Sequence, residues 1–205
     1  MKRLITLVFM IFVYLGMIVP EYSFTGEQDP ITTIFLIRHA EKVGDGSADP
    51  ALTPAGACRA DELAYILKHV KLDAIYSTPY IRTKQTVLPT AKEKGLEVKF
   101  YKPGEEDFFK KVLQVFSGGT VLIVGHSNTI PGLANELAGQ SDFSDLDDAT
   151  YDNLFIVCVP TQGKAVILRM RFGAHTPEKY SPCSSAAIRS SCWTTWGGGG
   201  NLKVF

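Results

Sequence analysis

Residues 31–37, Ile-Thr-Thr-Ile-Phe-Leu-Ile, make an unbroken run of apolar and β-branched side chains that stops abruptly at Arg38-His39. Such a run, with no alternation of polar and apolar positions, is not suited to a sheet with one wet face. It predicts a central strand buried on both sides, the situation of a parallel sheet covered by helices. A second run, Thr120-Val-Leu-Ile-Val-Gly125, has the same character and also ends at a histidine, His126, followed by Ser127. In open α/β sheets ligands collect outside the carboxyl ends of the strands. Two covered strands that each end in an imidazole, one with a guanidinium beside it, therefore constrain both the architecture and the place where chemistry can occur.

The chain between and around these runs alternates strand and helix. Residues 41–52 are rich in Gly, Asp and Pro and read as a loop. Thr53-Pro54 then opens a helix, with Thr as N-cap and Pro in the first turn, and its apolar face runs Ala57, Ala60, Leu63, Ala64, Leu67. Residues 71–76 supply a short strand, and Ser77-Thr78-Pro79 opens a second helix by the same device, ended by Gly95. Residues 97–101 form a third strand, and Phe108, Phe109, Val112, Leu113 and Phe116 stripe a third helix. A fourth helix spans residues 128–138, with Pro131 tolerated in its first turn. The acidic segment 141–152 reads as a surface loop, and residues 154–159 and 165–172 as an antiparallel hairpin. The expected fold class is α/β: a three-layer α/β/α sandwich with a mostly parallel central sheet and an antiparallel edge hairpin.

A chain of 205 residues suits one well-buried domain, expected over residues 31–175. Lys plus Arg and Asp plus Glu both number 21, so the net charge is zero. Without a clustered basic surface, nucleic acid is not an expected partner. Met1-Lys2-Arg3 followed by an apolar stretch to Val19 reads as an export signal or an N-terminal membrane anchor over residues 1–24. Either places the domain outside the cytoplasmic membrane, periplasmic or extracellular, with possible membrane association through the N-terminus. Of the four cysteines, Cys58 and Cys158 fit core positions, while Cys183 and Cys192 can close a loop in the tail. From residue 176 onward the composition turns to Ser, Cys, Trp and Gly without periodicity, a low-order C-terminal tail.

The chemistry follows from residue types. A neutral imidazole held in one tautomer attacks phosphorus directly. Arg38 beside His39 offers planar donors matched to phosphate oxygens. Arg82 sits one turn into the helix after Ser77-Thr78-Pro79, where a helix N-terminus favours an anion. Taken singly, Arg82 reads as a solvated helix residue and His126 as a helix cap; their conjunction with Arg38-His39 is what points to phosphoryl transfer. Glu41 is placed to orient Arg38 or Arg82 by an ion pair, and Ser127 and Asn128 to bond phosphate or to cap a helix. His69 and His175 stand apart from these segments.

Arg38-His39-x-Glu41, Leu52-Thr53-Pro54-x-Gly56, Ser77-x-x-x-x-Arg82-Thr83-x-Gln85-Thr86 and Gly125-His126-Ser127 together resemble the histidine phosphatase superfamily, also called phosphoglycerate mutase-like, over about residues 31–172. The resemblance implies that His39 is the nucleophile and becomes phosphohistidine, and that Arg38, Arg82 and His126 clamp the phosphoryl oxygens; Ser127 and Glu41 are further substrate-binding candidates from their own positions in the chain. It implies a small phosphorylated substrate and no metal or cofactor, since two guanidiniums and an imidazole supply the charge. Many relatives place an acid for the leaving group some two dozen positions past the middle arginine. Here that zone holds Glu105, Glu106 and Asp107, with Glu106 the candidate, although an acidic first helical turn explains the same residues. The expected activity is a metal-independent phosphatase acting on phosphomonoesters or phosphoramidates. The alternatives are a phosphoglycerate-mutase-type phosphotransferase and a non-catalytic phosphate-binding module.

Overall fold

The structure, a computed structural model, describes residues 29–105 and 107–174. The first apolar run becomes β1 (Ile31–Arg38), and its side chains divide between the two faces of the sheet. Ile34 and Leu36 join Val121, Ile123, Phe155 and Val157 on one side, while Phe35 and Ile37 join Ile75, Leu122 and Val124 on the other. On both faces the central strands β1 and β4 thus present apolar side chains, and helices cover them. Helices α1 (Pro54–Ile66) and α2 (Ile81–Lys94) bring Leu63, Val87 and Ala91 onto the second face. Helices α3 (Phe108–Val115) and α4 (Ile130–Ala138) bring Phe109, Val112, Ile130 and Ala134 onto the first. Burying a side chain of this size is worth roughly 1.5–3 kcal/mol, which makes β1 and its neighbours the energetic centre of the molecule.

The remaining strands are β2 (Ala74–Ser77), β3 (Val98–Phe100), β4 (Thr120–Gly125), β5 (Asn153–Pro160) and β6 (Val166–Arg171). They lie in the order β3-β2-β4-β1-β5-β6. The β2–β3, β2–β4 and β1–β4 pairs are parallel, and β1–β5 and β5–β6 are antiparallel. This is the expected α/β/α sandwich, with β5 and β6 as the antiparallel edge. Parallel pairing of β1 and β4 places Arg38 opposite Gly125, so both runs end at the same level of the sheet.

Several local expectations are corrected. Helix α2 starts at Ile81 rather than at the Ser77-Thr78-Pro79 segment, and its N-cap residue Tyr80 makes no side-chain cap. On α1, Ala57 is exposed and Arg59 is buried in its place. Segment 141–152 is not merely a surface loop: Leu146 and Asp152 are buried, and the backbone of Leu146 bonds to Ser127. Cys58 is buried on α1, and Cys158 is free on β5. The leader, Glu106, His175, Cys183, Cys192 and the tail lie outside the described residues. Among the described residues, no helix is long and apolar enough to cross a membrane.

Thr53 caps α1 as expected, its hydroxyl accepting from the Gly56 amide at 3.0 Å. The same residue ties the helix to the chain after β1, since Thr53 N donates to the Glu41 carbonyl at 2.9 Å. Gly56 is packed against that carbonyl so closely that an added Cβ would strike it. Gly56→Ala is therefore expected to cost about 1–3 kcal/mol of stability, measured by urea denaturation. An unchanged midpoint would mean that the helix can withdraw from the loop at no cost.

Candidate active site

The paired ends of β1 and β4 deliver His39 and His126 to one point. The amide of His39 donates to the Gly125 carbonyl at 2.9 Å, and the two imidazole centroids are 5.5 Å apart at 65°. Gly125 leaves room for the side chains packed against the end of β4. A Cβ there would meet Tyr101 Oη at 2.8 Å, Thr129 Oγ1 at 2.9 Å and Ile130 Cδ1 at 3.0 Å. The histidines open into a cleft of about 540 Å³ that is also lined by Arg38, Lys42, Arg82, Ser127, Asn128, Asp145, Leu146 and Asp148.

His39 is 3% exposed, and its Nδ1 lies 2.8 Å from the carbonyl oxygen of Ala40. A carbonyl only accepts, so Nδ1 carries the proton and Nε2 keeps its lone pair. The loop that presents the ring is itself fastened: Ala40 N donates to Thr86 Oγ1 on α2 at 2.9 Å. Burial, reinforced by the charges of Arg38, His126 and Arg82, holds the His39 pKa down to about 3. His126 is lowered to about 4, again by burial first and then by Arg82 and Arg38. Both rings are thus neutral near pH 7, the state a nitrogen nucleophile needs.

Arg38 is 2% exposed and is held by backbone rather than by a buried carboxylate. Its Nη1 donates to the carbonyls of Asp147 at 2.8 Å, Asp148 at 3.2 Å and Thr150 at 3.0 Å. Nη2 reaches Asp148 Oδ1 at 3.3 Å, and the guanidinium carbon lies 4.2 Å from the Tyr151 ring centroid. The acidic segment is therefore a strap that aims Arg38. Arg82 stacks over Tyr80 at 4.4 Å and reaches Asp49 Oδ1 at 3.4 Å. The Nε atoms of Arg38 and Arg82 are both buried without a hydrogen-bond partner among the described residues. Two orphaned cationic N–H groups beside one cleft are costly unless a ligand satisfies them.

Other sequence-derived candidates stand differently. The anion site expected at the start of α2 is already capped, because Asp49 Oδ1 accepts from the Ile81 amide at 2.8 Å. Glu41 orients neither Arg38 nor Arg82. It forms a bidentate pair with Arg59, at 2.7 Å from Nη2 and 3.0 Å from Nε, and Arg59 also donates to the Phe172 and Ala174 carbonyls. Glu41 thus braces the loop that follows β1 and does not line the cleft. Ser127 and Asn128 do line it. Glu106 lies outside the described residues. The sequence reading missed Lys42, Asp49, Thr78, Asp148 and Tyr151. Thr78 lay within the Ser77-Thr78-Pro79 segment, but nothing in local pattern marks Tyr151 or Asp148, which arrive through a loop. Among the described residues no group of three or more His, Cys, Asp or Glu is arranged to hold a metal ion.

Comparison with known proteins adds the following. Residues 34–102 match the family model described as the histidine phosphatase superfamily, branch 1. A 71-residue stretch is 44% identical to phosphoserine phosphatase 1 of Hydrogenobacter thermophilus, covering 32% of this chain. The chain spans about a third of that curated relative's length, 34%. Among solved structures, one assigned as the phosphohistidine phosphatase SixA of Nakamurella multipartitia aligns with a TM-score of 0.56 at 24% identity, over 72% of this chain and 100% of that one. A protein histidine phosphatase SixA complexed with tungstate aligns with a TM-score of 0.57 at 20% identity, over 68% of this chain and 96% of that one. At these identities the two structures establish a shared fold.

The depressed imidazoles have a thermodynamic consequence. Between about pH 6.5 and pH 3 the unfolded chain, with ordinary histidines, binds more protons than the folded one. The contribution of neutral His39 and His126 is fully present above about pH 6.5 and is lost as pH falls toward their folded values. Each histidine adds up to about 1.4 kcal/mol per pH unit to that slope. Urea denaturation at a series of pH values should show His39→Gln losing stability less steeply than wild type. Equal slopes would show that His39 titrates alike in both states.

Proposed function

We propose that this chain, a histidine phosphatase superfamily protein by its motifs, its matched residues and its fold, hydrolyses phosphomonoesters through a phosphohistidine on His39. The observation behind the reading is the fixed tautomer of His39. With Nδ1–H committed to the Ala40 carbonyl, Nε2 is a bare nucleophile inside a cationic cleft.

In the first half-reaction the Nε2 lone pair attacks phosphorus, the N–P bond forms, and the bond to the leaving oxygen breaks with its electron pair. In the second, water attacks phosphorus, the N–P bond breaks back to the imidazole, and inorganic phosphate departs with the proton shed by the water. Charge on the transferring oxygens is met by the unpartnered Nε–H groups of Arg38 and Arg82 and by His126. Such preorganised donors are the main catalytic lever in phosphoryl transfer. They supply the charge that a metal ion provides elsewhere, so turnover is expected to persist in chelator. Ser127 and Asn128 on the cleft wall bond the substrate. Without an assigned acid for the leaving oxygen, esters of acidic alcohols and phosphoramidates are the favoured substrates. Residues 1–24 as an export signal or anchor would place this activity outside the cytoplasmic membrane, to be checked by fractionating cells that express the full chain.

The test is hydrolysis of p-nitrophenyl phosphate. His39→Ala should abolish turnover, and Arg82→Ala should lower kcat by roughly 10²–10³, with both variants melting near wild type. Quenched reactions of the wild type should contain one phosphoryl group on the peptide bearing His39. Phosphate binding with no turnover would favour the non-catalytic module. Transfer between positions of a phosphoglycerate, without release of phosphate, would favour the mutase. Turnover abolished by chelator would overturn the metal-free mechanism.

A further inference from the structure

The edge of His126 that faces away from Arg82 is attached to two buried hydroxyls. Thr83 Oγ1 lies 2.8 Å from the Thr78 carbonyl and 2.9 Å from the Tyr80 carbonyl. Its single proton goes to one of these acceptors, so toward Thr78 Oγ1, 2.9 Å away, it accepts. Thr78 has then given its own proton to Thr83, and toward His126 Nε2 at 3.0 Å it offers only a lone pair. Nε2 therefore carries a hydrogen and Nδ1 is bare. The other edge of the ring requires the same tautomer, since Nδ1 faces Arg82 Nη2 at 3.5 Å, a group that only donates. Reversing the chain would point an Nδ1–H at a guanidinium. Thr78 and Thr83 are fully buried, so neither hydroxyl can exchange this partner for solvent.

The consequence appears when an anion enters. Arg82 turns its donors to the phosphoryl oxygens, and a bare Nδ1 then faces an oxyanion, lone pair against lone pair. We propose that Thr78 and Thr83 are positioning residues for His126: their hydroxyl relay holds Nδ1 toward the phosphoryl site and lets it take up one proton when a tetrahedral dianion binds. The role rests on the phosphatase reading above. The proton comes from solvent, an N–H bond forms at Nδ1, and the imidazolium donates to the bound oxyanion while Nε2–H still donates to Thr78. In the empty cleft burial, and then the charges of Arg82 and Arg38, oppose that proton, while Asp49 favours it. The His39 ring at 5.5 Å and the Tyr80 ring at 5.2 Å complete the surroundings. A dianion in contact with Nδ1 reverses the balance.

Calorimetric titration with tungstate at neutral pH, in two buffers of different ionisation enthalpy, counts the protons. Wild type should take up about one proton per tungstate bound. Thr78→Val should lose most of that uptake and bind about tenfold more weakly, and Thr78→Ser, which keeps the hydroxyl, should restore both. Thr83→Val should act in the same direction and reads the relay from its second link if Thr78→Val does not fold. Wild-type uptake in Thr78→Val, or a Thr78→Ser variant no better than Val, overturns the relay. Tungstate binding by wild type without proton uptake overturns the relay alone, whereas no binding at all overturns the phosphatase reading with it.

Discussion

The parallel ladder between β1 and β4, running from Thr33 opposite Thr120 to Arg38 opposite Gly125, is the constraint on which the site depends. Side chains alternate faces along a strand, so a slip of one residue would turn every buried group of β1 to the other side of the sheet. It would also separate His39 from His126. The register is held because both faces of both strands are apolar and covered, leaving no alternative pairing that keeps Ile34, Leu36, Val121 and Ile123 in one core. Packing that stabilises the fold thereby places two imidazoles side by side.

The second organising feature is an asymmetry in how buried cations are satisfied. Arg59, behind the loop that follows β1, is neutralised by the bidentate carboxylate of Glu41. Arg38, in front of it, is held mainly by three carbonyl groups, and its single carboxylate partner, Asp148, is 96% exposed. Carbonyls orient a guanidinium without cancelling its charge, and an exposed carboxylate is weakened by solvent. The cleft floor therefore stays positive. Burial first, and that field second, keep His39 and His126 unprotonated when the cleft is empty, and the field favours an anion entering it. One arginine is neutralised within the fold and the other keeps its charge at the cleft.

Neutral histidines, orphaned guanidinium N–H groups and fixed tautomers are three aspects of the same preorganisation. Each leaves a polar group in a state that water or the protein would ordinarily satisfy, and such groups persist only where surrounding structure holds them. The bracing runs well beyond the cleft: Thr86 holds Ala40, Gly56 admits α1 against Glu41, and Thr83 sits behind Thr78 and His126. Positioning is thus distributed over α1, α2 and the strap at 141–152.

The succession of strands and helices, the covered and mostly parallel sheet and the meeting of His39 with His126 were readable from the amino-acid sequence, because continuous apolar runs and strand-end motifs report on local periodicity and burial; the spatial order of the strands was not. Arg38 and Arg82 were readable as candidates for the same reason, each lying next to a strand end or a helix start. The partners of those residues were not. Whether Glu41 turned to Arg38 or to Arg59, and whether the start of α2 stayed open or was capped by Asp49, depended on side chains from segments distant along the chain. So did the approach of Tyr151 and Asp148 to the cleft. Hydrogen bonds and ion pairs act over a few ångströms in space, and only the folded packing of loops against the sheet decides which groups come that close.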